Sequence, residues 1–67
     1  MTDFRLTPAQ LRYLQSAARG LTNKEQARLH GVEFCSVEDA LRRARKANRA
    51  KNIPHLVFMA MKAGVLE

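Results

Sequence analysis

The residues of this chain best equipped for chemistry are basic and crowded together. Arg42, Arg43, Arg45, Lys46, Arg49 and Lys51 fall within ten residues, and no acid interrupts them. The chain carries 12 Lys plus Arg against 6 Asp plus Glu, a formal net charge of +6. Outside that stretch bases and acids balance, so the whole net charge sits inside it. Guanidinium and ammonium groups at this density suit a polyanion, and nucleic acid is the usual one. The plainer reading of the same stretch is a solvated helix face.

Other chemistries fail on residue type and spacing. One cysteine, Cys35, allows neither an internal disulfide nor a cysteine-based zinc cluster. Cys35, His30 and His55 form no ligand-spaced pair and cannot close a tetrahedral site without carboxylates. No nucleophile stands at a recognisable spacing from a base, and no Gly-rich phosphate loop is present. The expectation is a protein that is not an enzyme and needs no metal or cofactor. The longest apolar run, from Leu56 to Met61, is far short of a membrane span, and no N-terminal signal is seen. With a lone thiol, this predicts a cytoplasmic protein that does not enter a membrane.

The elements that must position these residues are helical. The 67 residues make one domain at most, with 1–5 as a tail and 6–67 as the domain. Thr7-Pro8-Ala9-Gln10 reads as a capping box with Pro at the first helical position, and Leu11, Leu14 and Ala18 follow at helical spacing until Gly20. Thr22-Asn23-Lys24-Glu25 is a second box, opening a short helix that Gly31 stops. Ser36 is the expected cap of a third helix, over about 34–50, with Asp39 near its positive end. Val37, Ala40, Leu41, Ala44 and Ala47 form its apolar stripe. Either Asn48 or the segment Asn52-Ile53-Pro54 ends it. Pro54 opens a fourth helix that runs to about Ala63, with Gly64 as its stop. No stretch shows sustained strand alternation. The prediction is an all-α domain of four short helices, the second and third in a helix-turn-helix arrangement.

The fourth helix carries Leu56, Val57, Phe58, Met59, Ala60 and Met61, apolar on every side. One face must pack inward, and a chain this short is not expected to cover the other, so the helix implies a partner. His30 is expected as a partly buried helix-end residue, His55 as a surface residue, Cys35 as structural, and Tyr13 and Phe34 as either core or surface.

Leu6-Thr7-Pro8, Leu11, Leu14, Gly20-Leu21-Thr22-Asn23-Lys24-Glu25 and Ala27 together resemble the LuxR-type (GerE-like) helix-turn-helix domain. That family reads "LTPRE…VL…GLSNKEIA…L.ISE.TVK.H…I..KL" and closes on "A…GLL". The similarity continues through Val32, Ser36-Val37, Ala60 and Gly64-Val65-Leu66 without a gap, and it is strongest in GLTNKEQA. The resemblance implies a four-helix DNA-binding domain of the stand-alone kind, with no regulatory domain of its own. In such a domain the third helix enters the major groove, and the fourth supplies a homodimer contact through Leu56, Val57, Phe58, Met59 and Met61. DNA-contacting positions would be Asn23, Lys24 and Arg28 on the second helix. On the third they would be Ser36, Val37, Arg42, Arg43, Arg45, Lys46 and Arg49.

Departures from the pattern fall in the third helix. The family's Thr-Val-Lys-x-His becomes Ser36, Val37, Glu38, Asp39 and Ala40, which places two acids at the reading positions. Local pairing of Glu38 with Arg42 and of Asp39 with Arg43, each four apart, is favoured over base readout. Apolar positions of the family become Gln26, His30, Ala44 and Asn48, so the core shrinks. The family's Lys-Leu-Gly-Val turn becomes Ala47-Asn48-Arg49-Ala50, and a longer third helix is expected. The reading that follows is a small homodimeric transcriptional regulator that binds a palindromic site in double-stranded DNA. The competing reading is an interaction module or inhibitor that holds a larger protein through its third or fourth helix and reads no DNA sequence.

Overall fold

The computed structural model describes residues 4–66. Four helices follow in order: α1 over Pro8–Ala18, α2 over Asn23–His30, α3 over Phe34–Ala47 and α4 over Ile53–Lys62. No strand occurs among the described residues. Among them, too, no helix is long and apolar enough to cross a membrane.

The first two helices start where their side chains close a cap. Thr7 accepts the Gln10 N–H at 3.1 Å, and the Gln10 side chain accepts the Thr7 N–H at 3.0 Å. Thr22 and Glu25 repeat the exchange at 3.1 and 2.8 Å. Each box satisfies two backbone donors that a helix start would otherwise leave open. The Thr22 backbone N–H, and then its side chain, hold the Glu25 carboxyl below its usual range. At the far end of α2, Gly31 turns left-handed with φ 66°. That conformation lets the Val32 N–H return to the Ala27 carbonyl at 3.0 Å.

α3 keeps its expected start at residue 34 but not its expected cap, and of its two expected ends it takes the one at Asn48. It starts at Phe34 after an extended Glu33 that offers no side-chain cap. Ser36 is therefore the third helical residue and not the cap: its own N–H already bonds the Glu33 carbonyl at 3.0 Å. The end comes at Ala47, not near residue 50, because Asn48 leaves the helical conformation and Arg49 turns left-handed with φ 57°. The Arg49 and Ala50 N–H groups bond back to the Lys46 and Arg45 carbonyls at 3.2 and 2.9 Å. This is the turn that glycine makes at Gly31, here made by a residue with a Cβ, at a cost of about 1 kcal/mol. Asn52 then caps α4 by accepting the His55 N–H at 2.8 Å, and the His55 ring accepts the Lys51 N–H at 3.0 Å through Nδ1.

α1 and α3 form the central pair. α2 and α4 both pack on it, and among the described residues they do not touch each other. The core holds Leu14 from α1, Val37, Leu41 and Ala44 from α3, and Leu56 and Ala60 from α4, with Tyr13, Ala50 and Leu66 closing it. Tyr13 thus settles as core. His30 is half-buried against it, with the Tyr13 ring edge-on at 5.5 Å and the Ser16 hydroxyl 3.3 Å from Nε2. On α3 the inward residues are Val37, Leu41 and Ala44, and Asn48, at its C-cap, continues the stripe at a spacing of four, three and four. Ala47, expected on that stripe, is exposed, and Asn48 takes the inner place. The single buried residue of α2 is Gln26, fully enclosed, with neither side-chain amide atom partnered among the described residues.

Candidate nucleic-acid interface

The outward face of α3 runs from acid to base. Near its start Cys35, Ser36 and Glu38 are exposed, and Asp39 is half-buried. Toward its end Arg42, Arg43 and Lys46 are exposed, Arg49 follows exposed in the turn, and Arg45 is half-buried. Residues three and four apart share a helix face, so Cys35, Asp39, Arg42 and Lys46 lie on one line opposite the buried stripe. Cations in the last turn also face the negative end of the helix dipole, and Arg45 and Lys46 both lie there.

Asp39 organises the middle of this face. Its Oδ1 accepts from an Arg42 guanidinium nitrogen at 2.6 Å, and its Oδ2 forms an ion pair with Arg43 Nε at 3.0 Å. The expected Asp39–Arg43 pair is present. Arg42 pairs with Asp39 and not with Glu38, because a carboxylate three residues back already lies in reach. The two guanidiniums keep over half their side-chain surface open. A ligand anion can approach them from the solvent side.

On α2, Lys24 and Arg28 are exposed and Asn23 is half-buried. All three lie on the helix that precedes the α2–α3 turn. Val37 does not belong to the exposed set: its side chain is fully buried between helices and cannot meet a base edge. Its place on the inner stripe, four residues before Leu41, explains this. Cys35 is exposed, not structural. Cys35 lies seven residues before Arg42, on the same outward face of α3.

The apolar surface of α4 is narrower than expected. Leu56 is 0% exposed and packs within the molecule, so it is unavailable to a partner. Val57 and Met59 are half-buried against the core. Phe58 and Met61, at 57% and 54%, are open, and Val65 is exposed in the segment that follows the helix. The Lys62 ammonium lies 5.7 Å from the Phe58 ring centroid.

Two features have no counterpart in the expectations above. Leu29, Val32 and Phe34 expose apolar surface around the α2–α3 turn. Asn48 bridges to the backbone of Arg5, 43 residues away. The signal for Asn48 lay in its 4–3–4 spacing from Val37, which places a polar side chain inside and demands a partner. Nothing local marks Arg5 as that partner. Comparison of the chain with family models, with curated proteins and with solved structures finds no match in any of the three.

Proposed function

We propose that this chain is a small DNA-binding regulator of the LuxR-type helix-turn-helix kind. In this reading it lays α3 in the major groove of a palindromic site. The observation that carries the reading is the exposed basic half of α3, namely Arg42, Arg43, Lys46 and Arg49, behind a short glycine turn from α2. Lys24 and Arg28 of α2 add two more exposed cations on the preceding helix. These side chains hold phosphates, and Ser36, Glu38 and Cys35 are the exposed residues at the leading end of α3, where base edges are met. Val37 acts from inside, fixing the rotation of α3 so that those residues face outward. Homodimerisation through Phe58 and Met61, with Val57 and Met59 at the edge, supplies the two-fold symmetry a palindrome needs.

A second reading has its own support. Asp39 already occupies two of the arginines, and Leu29, Val32 and Phe34 offer apolar surface beside the same helix. A protein partner, such as a larger regulator held inactive, would use both features.

Selection from a random duplex library at about physiological salt separates the readings. The expected result is an enriched palindrome that the Arg42→Ala/Arg45→Ala variant binds at least tenfold more weakly. Absence of any enriched sequence, with binding that vanishes as salt rises, would sink the DNA reading and favour the protein partner.

A further inference from the structure

The two acids of α3 are neighbours in sequence and meet opposite fates. Asp39 holds Arg42 at 2.6 Å and Arg43 at 3.0 Å, so its charge is answered within the helix. Glu38 is exposed, and its carboxylate makes neither an ion pair nor a hydrogen bond among the described residues. The cation placed to pair with it is Arg42, four residues on, and that guanidinium is turned to Asp39. Arg45 shares the flank of Glu38 but lies seven residues on, about 10 Å along the axis. One turn back are Phe34 and Cys35, exposed and without a cation to offer.

An unanswered carboxylate here narrows what α3 can meet. A carboxylate accepts hydrogen bonds and donates none, and phosphate repels it. On a duplex it is satisfied only by a base edge that presents a donor. In the major groove guanine presents two acceptors, and thymine an acceptor and a methyl group. Adenine sets its N6 donor beside the N7 acceptor, which opposes a carboxylate. Cytosine alone presents an amino donor, N4, with no acceptor beside it on the same base. Arg42, Arg43 and Lys46 are exposed further along the same helix and draw it to phosphates whatever the sequence. The acid at the leading end is then either paired or left desolvated at a cost.

We propose that Glu38 is a specificity-determining residue of the α3 surface, its carboxylate accepting from the N4 amino group of a cytosine in each half-site. The inference rests on the DNA-binding reading and sharpens it. The cations supply affinity without preference, and Glu38 supplies preference. Asp39 has no such role, because both of its oxygens are already engaged.

The test repeats selection from a random duplex library with Glu38→Ala, Glu38→Gln and Asp39→Asn, then measures affinity for labelled duplexes that differ at one base pair. Wild type is expected to enrich a cytosine at one position of each half-site and to bind duplexes changed there about tenfold more weakly. Glu38→Ala is expected to lose the preference at that position alone. Glu38→Gln is expected to move it to adenine, whose N6 and N7 suit a side-chain amide. Asp39→Asn removes the same charge from the next residue and is expected to keep the cytosine. Glu38 is on the surface, so both of its variants should fold, and melting curves check that they do. If Glu38→Ala enriches the wild-type site and only binds every sequence more tightly, the carboxylate acts as a charge and not as a reader; that overturns the proposal and leaves the DNA reading intact. Loss of the cytosine in Asp39→Asn as well overturns the assignment to Glu38. A wild-type protein that enriches no sequence removes the reading and the proposal together.

Discussion

α2 and α4 occupy equivalent places, one on each flank of the α1–α3 pair, yet they are seated by opposite means. α4 drives Leu56 and Ala60 fully into the core and caps its start with Asn52. α2 turns Gln26 inward, leaves its amide without a partner among the described residues, and sets Leu29 outward at 66% exposure. Its ends, by contrast, are thoroughly made: a complete capping box in front and a left-handed glycine behind. Caps and turns decide where a helix begins and stops, whereas buried apolar area decides how firmly it is held. α2 relies on the first and α4 on the second.

The sharpest way to break this contrast is to exchange what each helix buries. Leu56→Ala should cost about 2–5 kcal/mol by emptying a closed site. Gln26→Leu should instead gain about 1–3 kcal/mol, because it replaces an unpaired buried amide by an apolar group of similar size. Denaturant midpoints for the two variants check both signs. A destabilising Gln26→Leu would show that the amide has a partner in solution, such as a trapped water.

Part of this contrast was legible from residue types alone. Thr7 and Thr22, each three residues before an acceptor, announced two helix starts, and the stops at Gly20, Gly31 and Gly64 followed from the one residue that turns left-handed without strain. Ser36 carried the same local signature as Thr22 yet is no cap. Burying Val37, Leu41 and Ala44 together fixes the phase of α3, and the helix extends backward to Phe34 regardless of the serine. The basic face was legible for the same reason that helices are, through spacing. The Arg5–Asn48 bridge was not, because the two partners meet only after every intervening helix has packed.

The capping boxes give the next test. Thr22→Ala should cost about 1 kcal/mol, whereas Ser36→Ala should lie within about 0.5 kcal/mol of wild type. The box also has a pH signature. Glu25 titrates below its usual range when folded, so its contribution is present above the unfolded carboxylate range and is lost as pH falls through the folded value. Thermal melts between about pH 6 and about pH 3 should show that loss in wild type and a smaller one in Thr22→Ala. An identical pH profile for the two proteins would detach Glu25 from the stability of α2.

The smallest expected effect concerns the turn that leads into α4. Arg49→Gly should raise stability by up to about 1 kcal/mol by relieving the left-handed backbone, and on the DNA reading it should weaken binding in the same experiment. A gain in stability without a loss in affinity would place Arg49 outside the interface.

The double pairing of Asp39 means that any incoming anion meets a rival already in place. Arg42 and Arg43 share a carboxylate tethered within one turn of each of them, so its effective concentration is far higher than that of a free ligand group. A phosphate shares these guanidiniums with that internal competitor and reaches them through the donors left open to solvent. On the DNA reading, the face therefore favours ligands that engage several of its cations at once.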